Sequence, residues 1–213
     1  MKGFFISLEG VEGSGKSTQI ALLKEHLEER GHRVEVTREP GGTPISEAIR
    51  KILLDPSNDA LHPTAEILLY ASARAQHVYQ RILPWLEAGA VVISDRFFDS
   101  TTAYQGAGRG MASVEIQRLH LLATGGLSPN LTILIDLPAE DGLARATRYR
   151  ASDRIELESI EFHRRVRQGY LRLADEYPDR VRRVDGMQPL DAVAREIAST
   201  VDARLDTAGH PAK

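Results

Sequence analysis

The stretch Gly10-Val-Glu-Gly-Ser-Gly15-Lys16-Ser17 restricts this chain more than any other. It satisfies G-x-x-x-x-G-K-[ST] without exception, between an apolar run and a helical pattern. Such a loop needs a strand behind it and a helix ahead. Its glycines let successive backbone N–H groups converge on phosphate oxygens, and the helix start adds its positive dipole end. Gly10, Val11, Glu12, Gly13, Ser14, Gly15, Lys16, Ser17 and Thr18 are therefore the candidate loop for a nucleoside triphosphate. Lys16 is expected to reach the terminal phosphates, and the Ser17 hydroxyl to sit on Mg²⁺. Glu12 places a negative charge among anion-binding groups, so cations must come from elsewhere.

Short apolar runs at 4–8, 33–37, 90–94, 131–137 and 181–184 alternate with longer helical patterns. Several runs are near-continuously apolar and β-branched, as strands covered on both faces are. The segment 17–30 carries Ile20, Leu23 and Leu27 on one side and stops at Gly31. The segment 189–205 repeats Leu190, Val193, Ile197 and Val201. Strand–helix alternation predicts an α/β chain of three layers, a five-stranded parallel sheet with helices on both faces. A single domain over 1–205 accommodates the pattern, and 206–213 reads as a flexible tail.

Three further segments suggest an acceptor side. In "TREPGGT" (37–43), Arg38 could clamp an anion, or the prolyl-glycyl run could simply turn the chain. In "AEILLYASARAQH" (65–77), Glu66, Tyr70 and Arg74 recur every four residues and share a helix face. A ring and a guanidinium on one face suit a planar base. Taken alone, a core tyrosine beside a surface arginine is the more usual arrangement. In "VVISDRFFDSTTAYQGAGRG" (91–110), a buried strand ends in Asp95-Arg96 and opens into a polar loop. Asp95 is placed to hold Mg²⁺ through water, and Arg96 offers a planar fork for a phosphate. Asp136 closes a similar apolar run but lacks the adjoining arginine, so Asp95 ranks first.

The net charge of −3 gives no reason to expect broad nucleic-acid or anionic-membrane binding. No cysteine is present, which excludes disulfides and thiolate metal sites. The apolar start of the chain is too short for a signal peptide or a membrane span, so a cytoplasmic protein is expected. No Asn-Lys dipeptide occurs, which counts against a guanine-reading switch. Arginines concentrate in 145–154 and 163–172; a solvated helix face is the plain expectation, a polyanion site the sharper one.

"FISLEGVEGSGKST", "TREPGGT", "SDRFFDSTTAYQGAGRG" and "DRIE", in this order and spacing, resemble the bacterial thymidylate kinase family from about residue 4 to about 185. The resemblance implies a P-loop kinase using ATP and Mg²⁺ to phosphorylate dTMP to dTDP for dTTP synthesis, as a homodimer with small-molecule partners. It implies that Tyr70 stacks on thymine, Arg74 meets the base edge, and Arg96 grips the acceptor phosphate with Arg38 nearby. Thr101, Tyr104 and Gln105 would line the nucleoside pocket, Tyr104 crowding the 2′ position. With no arginine in its phosphate loop, the chain resembles members that carry the catalytic cation in a lid. That lid would be about 143–157, with Arg148 or Arg150 the cation. Glu12 would then accept from the sugar 3′-hydroxyl or hold the Mg²⁺-linked network. Phe97 departs from the family's usual Tyr or His, and Arg154 is expected to pair with Asp153 or Glu156. A kinase for another monophosphate should lack REPGGT, and an ATP-binding regulatory module would not need the acceptor residues.

Overall fold

A computed structural model describes residues 3–148 and 151–210. In chain order the elements are β1 (Phe4–Glu9), α1 (Lys16–Glu29), β2 (Val34–Arg38), α2 (Pro44–Leu54), α3 (Pro63–His77) and α4 (Leu83–Glu87). They continue with β3 (Val91–Asp95), α5 (Phe98–Thr101), α6 (Ser113–Thr124), β4 (Leu131–Asp136), α7 (Ala139–Ala146), α8 (Ile160–Glu176), β5 (Val181–Asp185) and α9 (Leu190–Thr207). Wider π-helical turns join α3 to α4 and extend α5 over Thr102–Gly108. The strands form a parallel sheet in the order β2-β3-β1-β4-β5.

The layers follow from strand alternation. Phe4, Ile6 and Leu8 of β1 face Ile20, Leu23 and Leu27 of α1 and Val193, Ile197 and Val201 of α9. Phe5 on the opposite face packs with Val78, Ile82, Leu86, Val92 and Phe97. Leu134 of β4 meets Phe162, Val166, Tyr170 and Leu173 of α8 on that side of the sheet. Both faces of the central strands β1, β3 and β4 are covered, so these are almost wholly buried, while the edge strands β2 and β5 expose polar side chains. Local signals start the helices. Thr43 Oγ1 accepts the Ser46 N–H ahead of Pro44 at the start of α2, and Ser159 caps α8 in the same way.

The expected runs locate all five strands but not their ends. β1, β2, β3 and β5 each run one residue further, to Glu9, Arg38, Asp95 and Asp185, whereas β4 stops at Asp136. Apolar character ends where the side chains reach the sheet's carboxyl edge, but backbone pairing persists for one more residue there. Ligands of open parallel sheets bind at this edge. The last described residues lie within the segment expected as a tail from 206. Helix α9 continues to Thr207, and the His210 ring lies edge-on to Phe4 with centroids 6.1 Å apart.

Candidate active site

The loop between β1 and α1 turns through Gly10, Gly13 and Gly15, all at positive φ. Gly13 is required by contact as well as by dihedral. A Cβ there would lie 2.1 Å from the Gly142 carbonyl of α7, and one on Gly142 would lie 2.4 Å from the Glu12 carbonyl. Helix α7 therefore rests directly on the phosphate loop. Ser14 is buried behind Val11, while Gly15, Ser17 and Thr18 remain exposed at the mouth.

Lys16 is almost wholly buried and folds back over its own loop. Its Nζ donates to the carbonyls of Gly10 (3.2 Å) and Val11 (3.0 Å) and to Ser14 Oγ (3.2 Å). Burial, and then the neighbouring Arg96 charge, bring its pKa down to about 8, against the pull of Asp95, Glu12 and Glu9. Ser17 Oγ donates to Asp95 Oδ2 at 3.1 Å, which brings two hard oxygen donors together at the helix start. Asp136 is occupied elsewhere: Arg167 and Arg183 grip its carboxylate at 2.7 Å each.

Arg96 follows β3 in the left-handed region, at φ 70, a conformation that costs a non-glycine residue roughly 1–3 kcal/mol. Three acceptors fix it there. Its Nη1 donates to the Gly10 carbonyl (2.8 Å), Tyr170 Oη (3.0 Å) and Ser100 Oγ (3.2 Å). Beneath them lies Glu9, wholly buried. It accepts from the Phe97 N–H (2.7 Å), Ser7 Oγ (2.7 Å), Ser100 Oγ (2.6 Å) and Tyr170 Oη (3.0 Å). Burial, and then Asp99, push the Glu9 pKa up. Glu12 Oε1 accepts from Tyr104 Oη and lies 3.3 Å from Arg96 Nη2. Burial opposes ionisation of Glu12, but His163, Arg96, Tyr104 and Lys16 together bring its pKa to about 2. It is a carboxylate at any physiological pH.

A cavity of about 330 Å³ opens beside this cluster, lined by Arg38, Tyr70, Arg74, Thr101, Tyr104 and Gln105 among others. Tyr70 and Arg74 exchange the places expected of them. The tyrosine is half-buried on the cavity wall, and the arginine is only 3% exposed. Arg74 donates to Glu39 Oε2 (2.7 Å) and Thr101 Oγ1 (3.0 Å), and Glu39 Oε1 lies 3.0 Å from His77 Nδ1. His77 Nε2 in turn lies 2.6 Å from Thr37 Oγ1. A buried arginine fixed in this way presents its remaining N–H groups with little further loss of side-chain freedom. Arg38 is exposed and held away by Glu47 at 3.0 Å. Gln105 donates to Glu66, which is fully buried and also takes Arg154 (2.6 Å) and Arg109 (3.0 Å).

Arg154 therefore bypasses the expected neighbours Asp153 and Glu156; its Nε donates to the Leu53 carbonyl at 2.8 Å. Asp153 instead caps the local turn by accepting from the N–H groups of Ile155 and Glu156 at 3.0 Å each. Arg148 is exposed in the bend after α7, and Arg150 lies outside the described residues. Of the arginines predicted as a solvated face or a polyanion site, several are structural. Arg164 pairs with Glu140 and Arg167 with Asp136, while Arg165 Nη2 donates to the Gly108 carbonyl at 3.0 Å.

The sequence reading does not single out Glu9, Glu39, His77, Ser100 or His163. Glu9 had a signal, because a carboxylate continuing an all-apolar strand is buried and must have partners. Glu39 lies within TREPGGT. The histidines gave none, since each acts through a residue distant in sequence.

The model of the family described as "Thymidylate kinase" matches residues 8–197. The chain is 53% identical over 209 residues to the thymidylate kinase of Geotalea uraniireducens, covering 95% of this chain and 98% of that one. It is 50% identical over 213 residues to that of Citrifermentans bemidjiense, covering 97% and 95%. The crystal structure of thymidylate kinase from Ehrlichia chaffeensis superposes with a TM-score of 0.77 at 33% identity, over 93% of this chain and 98% of that one.

Proposed function

The chain belongs to the thymidylate kinase family and phosphorylates dTMP to dTDP with ATP as donor, and we propose that it does so by neutralising two facing phosphates with cations from separate segments. The observation that carries this reading is Arg96. Its guanidinium, held in a strained backbone by Gly10, Ser100 and Tyr170, stands where the phosphate loop meets the cavity of Tyr70 and Arg74.

ATP phosphates lie on the N–H groups of residues 10–18, and the triphosphate draws the Lys16 ammonium away from its loop carbonyls. Thymine stacks on Tyr70, with Arg74 and Thr101 at its edge and Gln105 behind. Tyr104 occupies the space beside the sugar 2′ carbon, and Glu12 takes the 3′-hydroxyl. The acceptor oxygen is already anionic, so no general base is needed. The chemical task is alignment and compensation of charge. Arg96 holds the acceptor phosphate, and Arg38 swings to it from Glu47. Arg148 or Arg150 supplies the lid cation as 143–157 closes, an effect worth about 10³-fold or more in rate.

The Ser17–Asp95 pair, two hard oxygens 3.1 Å apart beside the loop, fits Mg²⁺. When bound there, the ion supplies charge neutralisation at the donor phosphates. Exposed apolar side chains on α3 and α6 support a homodimer. The ordinary acidic balance, and the lack among the described residues of any helix able to cross a membrane, accord with a cytoplasmic enzyme supplying dTDP for dTTP synthesis.

The test is a rate comparison across nucleoside monophosphates together with Lys16→Ala. Turnover of dTMP should far exceed that of UMP. The substitution should lower kcat by about 10³-fold or more while leaving the dTMP Kd, measured by calorimetry, nearly unchanged. Equal rates with UMP, or lost dTMP affinity with normal turnover, would contradict the assignment.

A further inference from the structure

Glu12 satisfies only half of its carboxylate. Oε1 takes Tyr104 Oη and the long contact to Arg96, whereas Oε2 is buried without a hydrogen bond. His163 of α8 lies beside it, fully buried, and neither of its ring nitrogens has a partner. Its Nδ1 is 3.3 Å from Glu12 Oε2, close enough to attract but outside the geometry of a formed bond. Buried polar atoms without partners are uncommon, and here two face each other.

The placement of His163 is not accidental to the helix. It precedes Tyr170 by seven residues, two turns of α8, so both side chains leave the same face. Tyr170 reaches Arg96 and Glu9, and His163 reaches Glu12. One helix thus stands behind both members of the Glu12–Arg96 pair. A phosphate bound at Arg96 competes with Glu12 for that guanidinium, whose contact with the carboxylate is already long. Glu12 then needs another donor to stay aimed.

We propose that His163 is a positioning residue for Glu12, its Nδ1–H closing on Oε2 when the acceptor binds and leaving that oxygen's second lone pair for the sugar 3′-hydroxyl. The inference rests on the assignment of Glu12 to that hydroxyl. An oxygen of a carboxylate can accept both donors at once. Catalytic hydrogen bonds that are long in the empty site commonly tighten when substrate is present.

The experiment compares dTMP with 3′-deoxythymidine monophosphate, which lacks the hydroxyl, in the full-length protein. His163→Leu removes the donor and keeps the bulk; His163→Asn restores an N–H near Nδ1. With dTMP, kcat/KM should fall about 10- to 100-fold in H163L, mostly through the KM for dTMP, and recover largely in H163N. With the 3′-deoxy substrate, all three proteins should perform alike, and the KM for ATP should not move. Equal losses on both substrates in H163L, or no rescue by H163N, would overturn the proposal. Glu12→Gln separates the two layers of the argument. If its loss is the same with and without the hydroxyl, the Glu12 assignment itself fails; if the loss depends on the hydroxyl but that of H163L does not, only the role of His163 fails. Should H163L not fold, ¹⁵N-histidine spectra of the unaltered protein decide. The Nδ1 resonance should shift on saturation with dTMP and much less with the 3′-deoxy analogue; identical spectra would refute the idea.

Discussion

A buried ammonium and a buried carboxylate set the pH range in which this site can work. Burial and Arg96 hold Lys16 near pKa 8, so part of its charge is already lost in mildly alkaline solution. Only the ammonium can neutralise donor phosphates. For a lysine the charged form lies below the pKa, so kcat/KM for ATP, measured at dTMP well below its KM, should decline above about pH 8, approaching tenfold per pH unit. The limb in kcat should sit at higher pH, because bound triphosphate stabilises the ammonium. Rates measured from pH 6.5 to about 9.5 check this, and a flat kcat/KM across that range would show that Lys16 does not titrate as its burial requires. Glu12 titrates near 2 and contributes nothing in that window. Much at this scale was legible in the sequence. The pattern G-x-x-x-x-G-K-S needs a particular backbone, so it carries its own structure with it. The burial of Arg74 was not legible, because helical spacing says which residues share a face but not which partner waits opposite. Glu39, 35 residues away, decides that arginine's fate.

Among the elements, the turn after β2 holds Arg74 directly through Glu39 and indirectly through Gly42, which packs on the contacts behind it. Thr37, His77, Glu39 and Arg74 form a buried chain from the strand end to the cavity wall. Gly42 lies against its middle at φ +83, and a Cβ there would come within 2.4 Å of His77 Nε2 and 2.7 Å of Thr37 Oγ1. Gly42→Ala should therefore displace His77, slacken Glu39 and loosen Arg74. The expected outcome is a KM for dTMP raised about tenfold, an almost unchanged KM for ATP, and a stability loss of about 1–3 kcal/mol. Steady-state kinetics and thermal melts measure both. A lower melting temperature with an unaltered KM for dTMP would show that the chain of contacts is structural only. The sequence contains the glycine pair and allows TREPGGT as a turn or as an anion clamp through Arg38. What it lacked was the contact with α3, a matter of tertiary approach between segments separated by more than thirty residues.

Across the whole molecule, the cavity and its charged cluster are assembled from β1, β2, β3, α3, α8 and their loops within one chain. The sheet accounts for this, because β1 lies at its centre and β3 beside it, which brings residues near 9, 38 and 95 to one edge. Alternating apolar runs were enough to anticipate that layout. The segment expected to form a lid is less legible: 145–154 is rich in arginine, yet Arg154 is committed to Glu66 and anchors its stretch of chain to α3. An intact site within one protomer has a consequence for assembly. Helices α3 and α6 leave Leu68 50%, Leu121 66% and Leu122 78% exposed, and Tyr79 just beyond α3 is 56% exposed. Large apolar side chains grouped on neighbouring helices suit a second copy of the chain, since a two-fold axis matches one such face with itself. Leu122→Glu with Leu68→Glu should convert a homodimer to a monomer in sedimentation velocity and lower the melting temperature by several degrees. Because no cavity residue is altered, kcat should stay within about threefold of the parent at the same protomer concentration. A double variant that remains dimeric would place the interface elsewhere. One that is monomeric but inactive would mean that the partner orders the α3 face carrying Tyr70 and Arg74.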